Sequence, residues 1–206
     1  MSTQRKIENP DCLTTPLKDY TTEKGTPICL HENKIFSVFF NGYYHYVEFN
    51  NALRGAVMIP RFPNGDLLLV NLRRAPVVGQ SLEFPRGGVN KDETLEQGAI
   101  REIKEETGFE VFESAATCIG RFGADTATLN GFQSVFLVDI PENAEPGEYD
   151  HDEINWPVRI SEKQLSQKIR SGEIVDGISM AAWTLYQAHC QDVEDAQELD
   201  LARPRP

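Results

Sequence analysis

Between Gly87 and Phe109 the chain reads GGVNKDETLEQGAIREIKEETGF, two glycines followed by Asp92, Glu93, Glu96, Glu102, Glu105 and Glu106. The spacing predicts a helix over residues 94–107. Leu95, Ala99 and Ile103 form an apolar stripe at i, i+4 and i+8, Ile100 widens it, and Gly108 stands where a helix-ending glycine belongs. On such a helix Glu102 neighbours both Glu105 and Glu106, and like charges at i+3 and i+4 cost roughly a few tenths of a kcal/mol per pair. Glu105 and Glu106 also fall in the last turn, where the helix dipole disfavours anions. Local penalties that agree in sign point to a use. A hard divalent cation would relieve them: Mg²⁺ binds carboxylate oxygens and keeps positions open for water and substrate phosphates. From charge alone, the alternative is a solvated acidic face.

The spacing goes further than the charge. It reads Gly87-x5-Glu93-x7-Arg101-Glu102-Ile103-x-Glu105-Glu106-x-Gly108-Phe109. This resembles the Nudix box at all nine of its specified positions. The resemblance implies an α/β (α+β) Nudix fold, a mixed β-sheet sandwiched between helices with the box as a loop-helix-loop. It also implies Mg²⁺ or Mn²⁺ as cofactor. Glu102 and Glu106 would be the principal ligands, Glu105 a further ligand or helper, and the backbone carbonyl of Arg86 or Gly87 another. Glu93 and Arg101 would form a salt bridge fastening loop to helix, and Gly87 would let the backbone bend close to the metal. Glu105, Glu106, Glu153 and Arg101 make up the candidate catalytic set.

Residues outside the box narrow the expectation. NLRRAPVVGQSLEFPRGGV resembles a run found in ADP-ribose and nucleoside-diphosphate-sugar pyrophosphatases, with Arg74, Pro76, Glu83 and Pro85 at its matching positions. By that likeness Arg74 would contact substrate, with Arg73 a weaker candidate, and Glu83 would recognise a base or ribose. Residues 152–187 resemble the C-terminal part of the same subfamily, whose short Gly-x-Ile-x-Asp motif is here Gly172, Ile174 and Asp176. The subfamily draws its general base from an acidic loop. Here Glu153 comes first, then Asp152 and Asp150, with His151 a bystander; a plain solvent loop is the alternative. One departure concerns the leaving group: the proline expected about sixteen residues past the box is missing, and the chain reads FGADTATLNG there.

These residues need elements to hold them. Residues 1–50 are expected to form an N-terminal extension, 51–190 the Nudix domain and 191–206 a frayed acidic tail. Residues 1–32 read as loop or irregular arm. KIFSVFFNGYYHYVEFN then reads as two strands around Asn41-Gly42, a strong hairpin signal. Strands are expected in LRGAVMIP, GDLLLVNLRR, SLEFPRGG, FEVFESAATCIGRF and FQSVFLVDI, with INWPVRI broken by Pro157. Two helices close the domain, one capped by Ser161 and a last one with an apolar stripe at Ile178, Ala182, Leu185 and Ala188. By the resemblance, the hairpin would take part in a homodimer in which Phe36, Phe39, Tyr43 or Tyr46 stacks on an adenine. The alternative is that these rings fill their own sheet.

Composition excludes other classes. The 206 residues carry a formal charge of −12, and no Lys/Arg run is long enough to bind nucleic acid or anionic lipid. Cys12, Cys29, Cys118 and Cys190 are far apart and form no zinc spacing, which fits reduced thiols and a cytoplasmic location. No apolar leader or membrane-length stretch is present. The expected partner is a small nucleotide substrate. The function expected is hydrolysis of the pyrophosphate of ADP-ribose or a related nucleotide sugar. Alternatives are a dinucleotide or coenzyme pyrophosphatase, or a Nudix-fold sensor that binds without cleaving.

Overall fold

A computed structural model of the protein describes residues 26–50, 54–74, 79–149 and 154–201. Its centre is β4 (Arg54–Arg61), every residue of which from Gly55 to Pro60 is buried. A strand buried on both faces needs apolar side chains throughout, which GAVMIP supplies. Beside it lie β5 (Leu67–Arg74), joined by a turn at Gly65 with φ +84°, and β10 (Phe132–Asp139), which runs parallel to β4. Outside these are β11 (Ile154–Ile160) on β5 and β8 (Ala116–Phe122) on β10, both antiparallel. The order is β11-β5-β4-β10-β8.

β4 and β5 pair only at Arg61 and Leu67 and then part. The chain from β6 (Gly79–Glu83) through Phe84 and Pro85 to β7 (Arg86–Gly88) fills the fork. β6 pairs with β5, and β7 pairs with β4. Pro85 completes the join through its carbonyl, which accepts the Met58 N–H at 2.8 Å. This fork carries the two box glycines, Gly87 and Gly88.

Alternation along β4 sends Ala56 and Met58 to one face and Val57 and Ile59 to the other. The first pair packs with Leu95, Ala99 and Ile103 of α1 (Leu95–Thr107), the second with α2 (Glu162–Ser171) and α3 (Gly177–Leu201) through Leu165, Ala182, Trp183 and Tyr186. The sheet is therefore sandwiched between helices, as expected. Thr94 and Ser161 each form a capping box, with Gln97 and Gln164. Gly108 and Gly172 end α1 and α2 with left-handed φ of 75° and 77°.

A second sheet stands outside this core, in the order β1-β2-β3-β9: β1 (Ile28–Glu32), β2 (Phe36–Phe40), β3 (His45–Phe49) and β9 (Leu129–Asn130). The hairpin at Asn41-Gly42 is present. Asn41 Oδ1 accepts the backbone N–H groups of Tyr43 and Tyr44 at 3.1 and 2.8 Å. Gly42 takes φ +87°.

Five local expectations are corrected. β1 falls where loop or irregular arm is expected, because its backbone pairs with β2 despite a fully exposed, mixed sequence. FEVFESAATCIGRF becomes a strand only at Ala116, after a short 3₁₀ turn at Glu113–Ala115. Pro157 does not break β11, since that strand is at the sheet edge, where a missing N–H is tolerated. Of the stripe expected on α3, Ile178, Ala182 and Leu185 pack on the core, but Ala188 is exposed, and Ser179, Trp183 and Tyr186 complete the buried face. Finally, α3 continues past Cys190 to Leu201 where a frayed tail is expected, in a stretch whose Gln, Glu and Leu favour helix and which is joined by a Gln191–Asp195 hydrogen bond of 2.9 Å.

Candidate active site

The box helix meets the fork at Gly87. A side chain there would meet the carboxylate of Glu102, so glycine leaves that carboxylate room to lie against the strand backbone. Gly98 does the same one turn earlier against Val89, whose Cγ2 would lie 2.7 Å from an added Cβ. The two glycines thus let the box helix lie close to β7 and the residue that follows it.

Arg101 organises the acidic face. Its Nε donates to Glu93 Oε1 at 2.8 Å and Nη2 to Glu93 Oε2 at 3.1 Å. Nη2 also donates to the Gly88 carbonyl at 2.8 Å, and Nη1 to Glu102 Oε1 and Glu105 Oε2, each at 2.8 Å. Glu93 in turn accepts the Asn90 N–H at 3.0 Å. The expected fastening of loop to helix is present, and it extends to the strand. Arg101 hydrogen bonding holds the Glu93 carboxyl at about 2, far below its ordinary value.

Glu106 lies deeper. Its Oε2 accepts the backbone N–H of Arg86 at 2.9 Å. Burial pushes its carboxyl up to about 8, helped by the nearby Glu102 and opposed by the Arg86 N–H. Burial likewise raises Glu102, against the pull of Arg101. Glu105 is about half exposed.

Behind the fork is a second charged cluster. The Glu83 side chain is only 2% exposed, yet Arg74 Nη2 reaches it at 3.0 Å and Arg86 Nη2 at 2.8 Å. Arg86 Nη1 then meets Asp176 at 3.3 Å. The Glu83 carboxylate is thus held by both arginines. Arg74 remains 36% exposed, and Arg73 is exposed.

The structure brings together Arg74, Glu83, Arg86, Gly87, Glu93, Arg101, Glu102, Glu105 and Glu106. Phe36 belongs to the outer sheet, where its ring packs on His31 at 5.9 Å. Glu153, Asp152, His151, Asp150 and Pro76 lie outside the described residues. Sequence reasoning gave no role to Asp176 or Ser179. The signal was available: Asp-Gly-Ile-Ser ahead of an apolar helix is a capping pattern. Asp176 Oδ2 accepts the Ser179 N–H at 2.7 Å, and Ser179 Oγ accepts the Phe84 N–H at 3.0 Å.

Among the described residues, no group of three or more His, Cys, Asp or Glu side chains converges as a ready cage, since Arg101 sits between Glu102 and Glu105. The donor chemistry nevertheless suits a hard cation. Two neighbouring carboxyls are raised by burial, on a helix face held to a glycine backbone.

A family model for the NUDIX domain matches residues 52–171. The chain belongs to the NUDIX family. Similar curated proteins include the ADP-ribose pyrophosphatase of Saccharomyces cerevisiae, 29% identical over 97 residues, or 45% of this chain and 42% of that protein. A Nudix hydrolase of Schizosaccharomyces pombe is 34% identical over 103 residues, 44% of this chain and 47% of its own. A nudix hydrolase of Caenorhabditis elegans is 34% identical over 87 residues, 39% and 37% of the two chains. The matches thus span less than half the length of these relatives. Among solved structures, an ADP compounds hydrolase superposes with TM-score 0.65 at 16% identity, over 81% of this chain and 92% of that one. At that identity the likeness is one of fold. The Nudix box helix identified from spacing is α1, and its glutamates face the β7 glycines.

Proposed function

We propose that this Nudix protein is a Mg²⁺- or Mn²⁺-dependent pyrophosphohydrolase. It would cleave ADP-ribose or a related nucleoside diphosphate sugar to a nucleoside monophosphate and a sugar phosphate. The observation that carries the reading is the pair Glu102 and Glu106, half-buried on one helix face against the Gly87 backbone, with Glu106 oriented by the Arg86 N–H.

In this reading Glu102 and Glu106 hold the cation, with Glu105 and the Arg86 or Gly87 carbonyl as further oxygen donors. When bound, the cation offsets pyrophosphate charge and lowers the pKa of a bound water. The remaining work belongs to the chain. Arg101 keeps Glu102 and Glu105 on one face, anchored to Glu93 and Gly88. Arg74, fixed on one side by Glu83, directs its exposed part to a substrate phosphate. Glu153 is the candidate acceptor of the water's proton. The ADP-ribose pyrophosphatase name of the yeast relative supports the substrate class.

The outer sheet fits a homodimer built through the N-terminal strands. Ile28, Leu30, Ile35, Tyr43, Tyr44 and Phe49 are exposed on it, and β1 is an edge strand. Such a dimer would offer Phe36 to a partner's site. Among the described residues Cys29, Cys118 and Cys190 form no disulfide, in accord with a reducing cytoplasm, and no helix there is long and apolar enough to cross a membrane.

The test is hydrolysis of ADP-ribose, ADP-glucose, GDP-mannose, NADH, diadenosine polyphosphates and coenzyme A, with Mg²⁺, Mn²⁺ or EDTA. A nucleotide sugar should be cleaved with either metal and not in EDTA. Cleavage that persists in EDTA, or none with any member of the panel, would sink the reading.

A further inference from the structure

The first turn of α3 is joined to the box helix through one arginine. Arg86 is the junction. Its backbone N–H holds Glu106 at 2.9 Å, its Nη2 holds buried Glu83 at 2.8 Å, and its Nη1 holds Asp176 at 3.3 and 3.4 Å. Asp176 stands immediately before α3 and caps it, its carbonyl accepting the Met180 N–H at 3.1 Å and its Oδ2 the Ser179 N–H at 2.7 Å. Ser179, itself buried, then fixes the Phe84 N–H at 3.0 Å, two residues before Arg86.

From one helix turn, Ser179 therefore holds the Phe84 backbone at 3.0 Å and Asp176 the Arg86 guanidinium at 3.3 Å, one at each end of the Phe84–Pro85–Arg86 segment. That segment can sit only where β4 and β5 have parted, and β7 makes just three residue pairs with β4. A strand that short has little of its own to set the direction of the Arg86 N–H. We propose that Asp176 and Ser179 are positioning residues for the Nudix site, clamping the fork so that the Arg86 N–H orients the Glu106 carboxylate. The proposal rests on the reading of Glu106 as a metal ligand. Outer partners of a metal ligand typically change affinity or activity by roughly 10- to 100-fold when removed.

Asp176→Asn separates the clamp from simple helix capping. Asparagine caps a helix about as well as aspartate, but it loses the charge that holds Arg86. Three quantities are read: melting temperature, Mn²⁺ affinity without substrate by electron paramagnetic resonance, and exchange protection of the Arg86 amide by NMR. The melting temperature should stay near wild type, Mn²⁺ should bind roughly 10- to 100-fold more weakly, and the Arg86 amide should exchange faster. With substrate, kcat should fall more than KM rises.

Arg86→Gln cuts the same bridge from the other end, together with the Arg86–Glu83 pair, while leaving the α3 cap whole, and it serves if Asp176→Asn folds poorly. Wild-type Mn²⁺ affinity and a protected amide at position 86 in the folded variant would overturn the clamp. If wild type binds no Mn²⁺ and cleaves no substrate, the hydrolase reading fails, and the amide exchange still decides the clamp.

Discussion

The backbone N–H of Arg86 and the Oε2 of Glu106 lie 2.9 Å apart, joining the short strand of the fork to the last turn of the box helix. This one bond opposes the burial that raises the Glu106 carboxyl to about 8. Glu106→Gln should therefore split function from stability. Activity should fall by more than roughly 100-fold, the upper end for an outer-shell partner. The melting temperature should hold or rise, because a neutral isostere ends the cost of burying charge. Parallel kinetics and thermal melts check both, and a large fall in melting temperature would contradict the assignment.

Gly87 and Gly172 make a matched pair. Alanine at Gly87 meets the Glu102 carboxylate, whereas alanine at Gly172 meets open space and only the left-handed φ of 77° resists it. Gly87→Ala should cut activity sharply by displacing the Glu102 carboxylate, at little cost in stability, because the atoms it meets end a flexible side chain. Gly172→Ala should cost about 1–2 kcal/mol from the backbone and leave kcat near wild type. Urea unfolding with activity assays distinguishes them, and equal activity in both variants would refute the contact.

Acid should weaken the loop-to-helix fastening in a defined window. The Glu93 carboxyl sits at about 2 when folded against an ordinary 4.5, chiefly through its hydrogen bond from Arg101. A depressed folded-state pKa contributes stability that is whole above the unfolded value and is lost as pH falls through the folded one. The stability gap between wild type and Glu93→Gln should thus be constant above about pH 5 and shrink between 4.5 and about 2. Urea midpoints across that range test it. A gap that does not narrow would exclude Glu93 as the titrating group.

The outer sheet predicts its own effect. Leu30 is 54% exposed on edge strand β1. Leu30→Lys should leave the melting temperature of the Nudix core almost unchanged and dissociate the proposed homodimer, since charge on an edge strand discourages pairing. Sedimentation velocity reads the outcome. A wild type that sediments as a monomer at every concentration would remove the proposal.

The sequence by itself determined the elements whose signals are local. The box helix follows from the Leu95, Ala99 and Ile103 stripe and ends at Gly108, and the hairpin follows from Asn41-Gly42. Each is specified within one turn or one loop, where periodicity and φ preference suffice. The acidic cluster was equally legible, because three glutamates within five residues must share a helix face. Tertiary structure alone decided how that cluster is held. Pro157 was a breaker on paper and an edge residue in the sheet. Folding alone set Glu83 between Arg74 and Arg86. Asp176 acquired its role only when a residue 90 positions earlier, Arg86, came within reach. Such contacts join segments distant in the chain. Their geometry depends on which strands part, which pair and which helix closes over the gap, and no local preference carries that information.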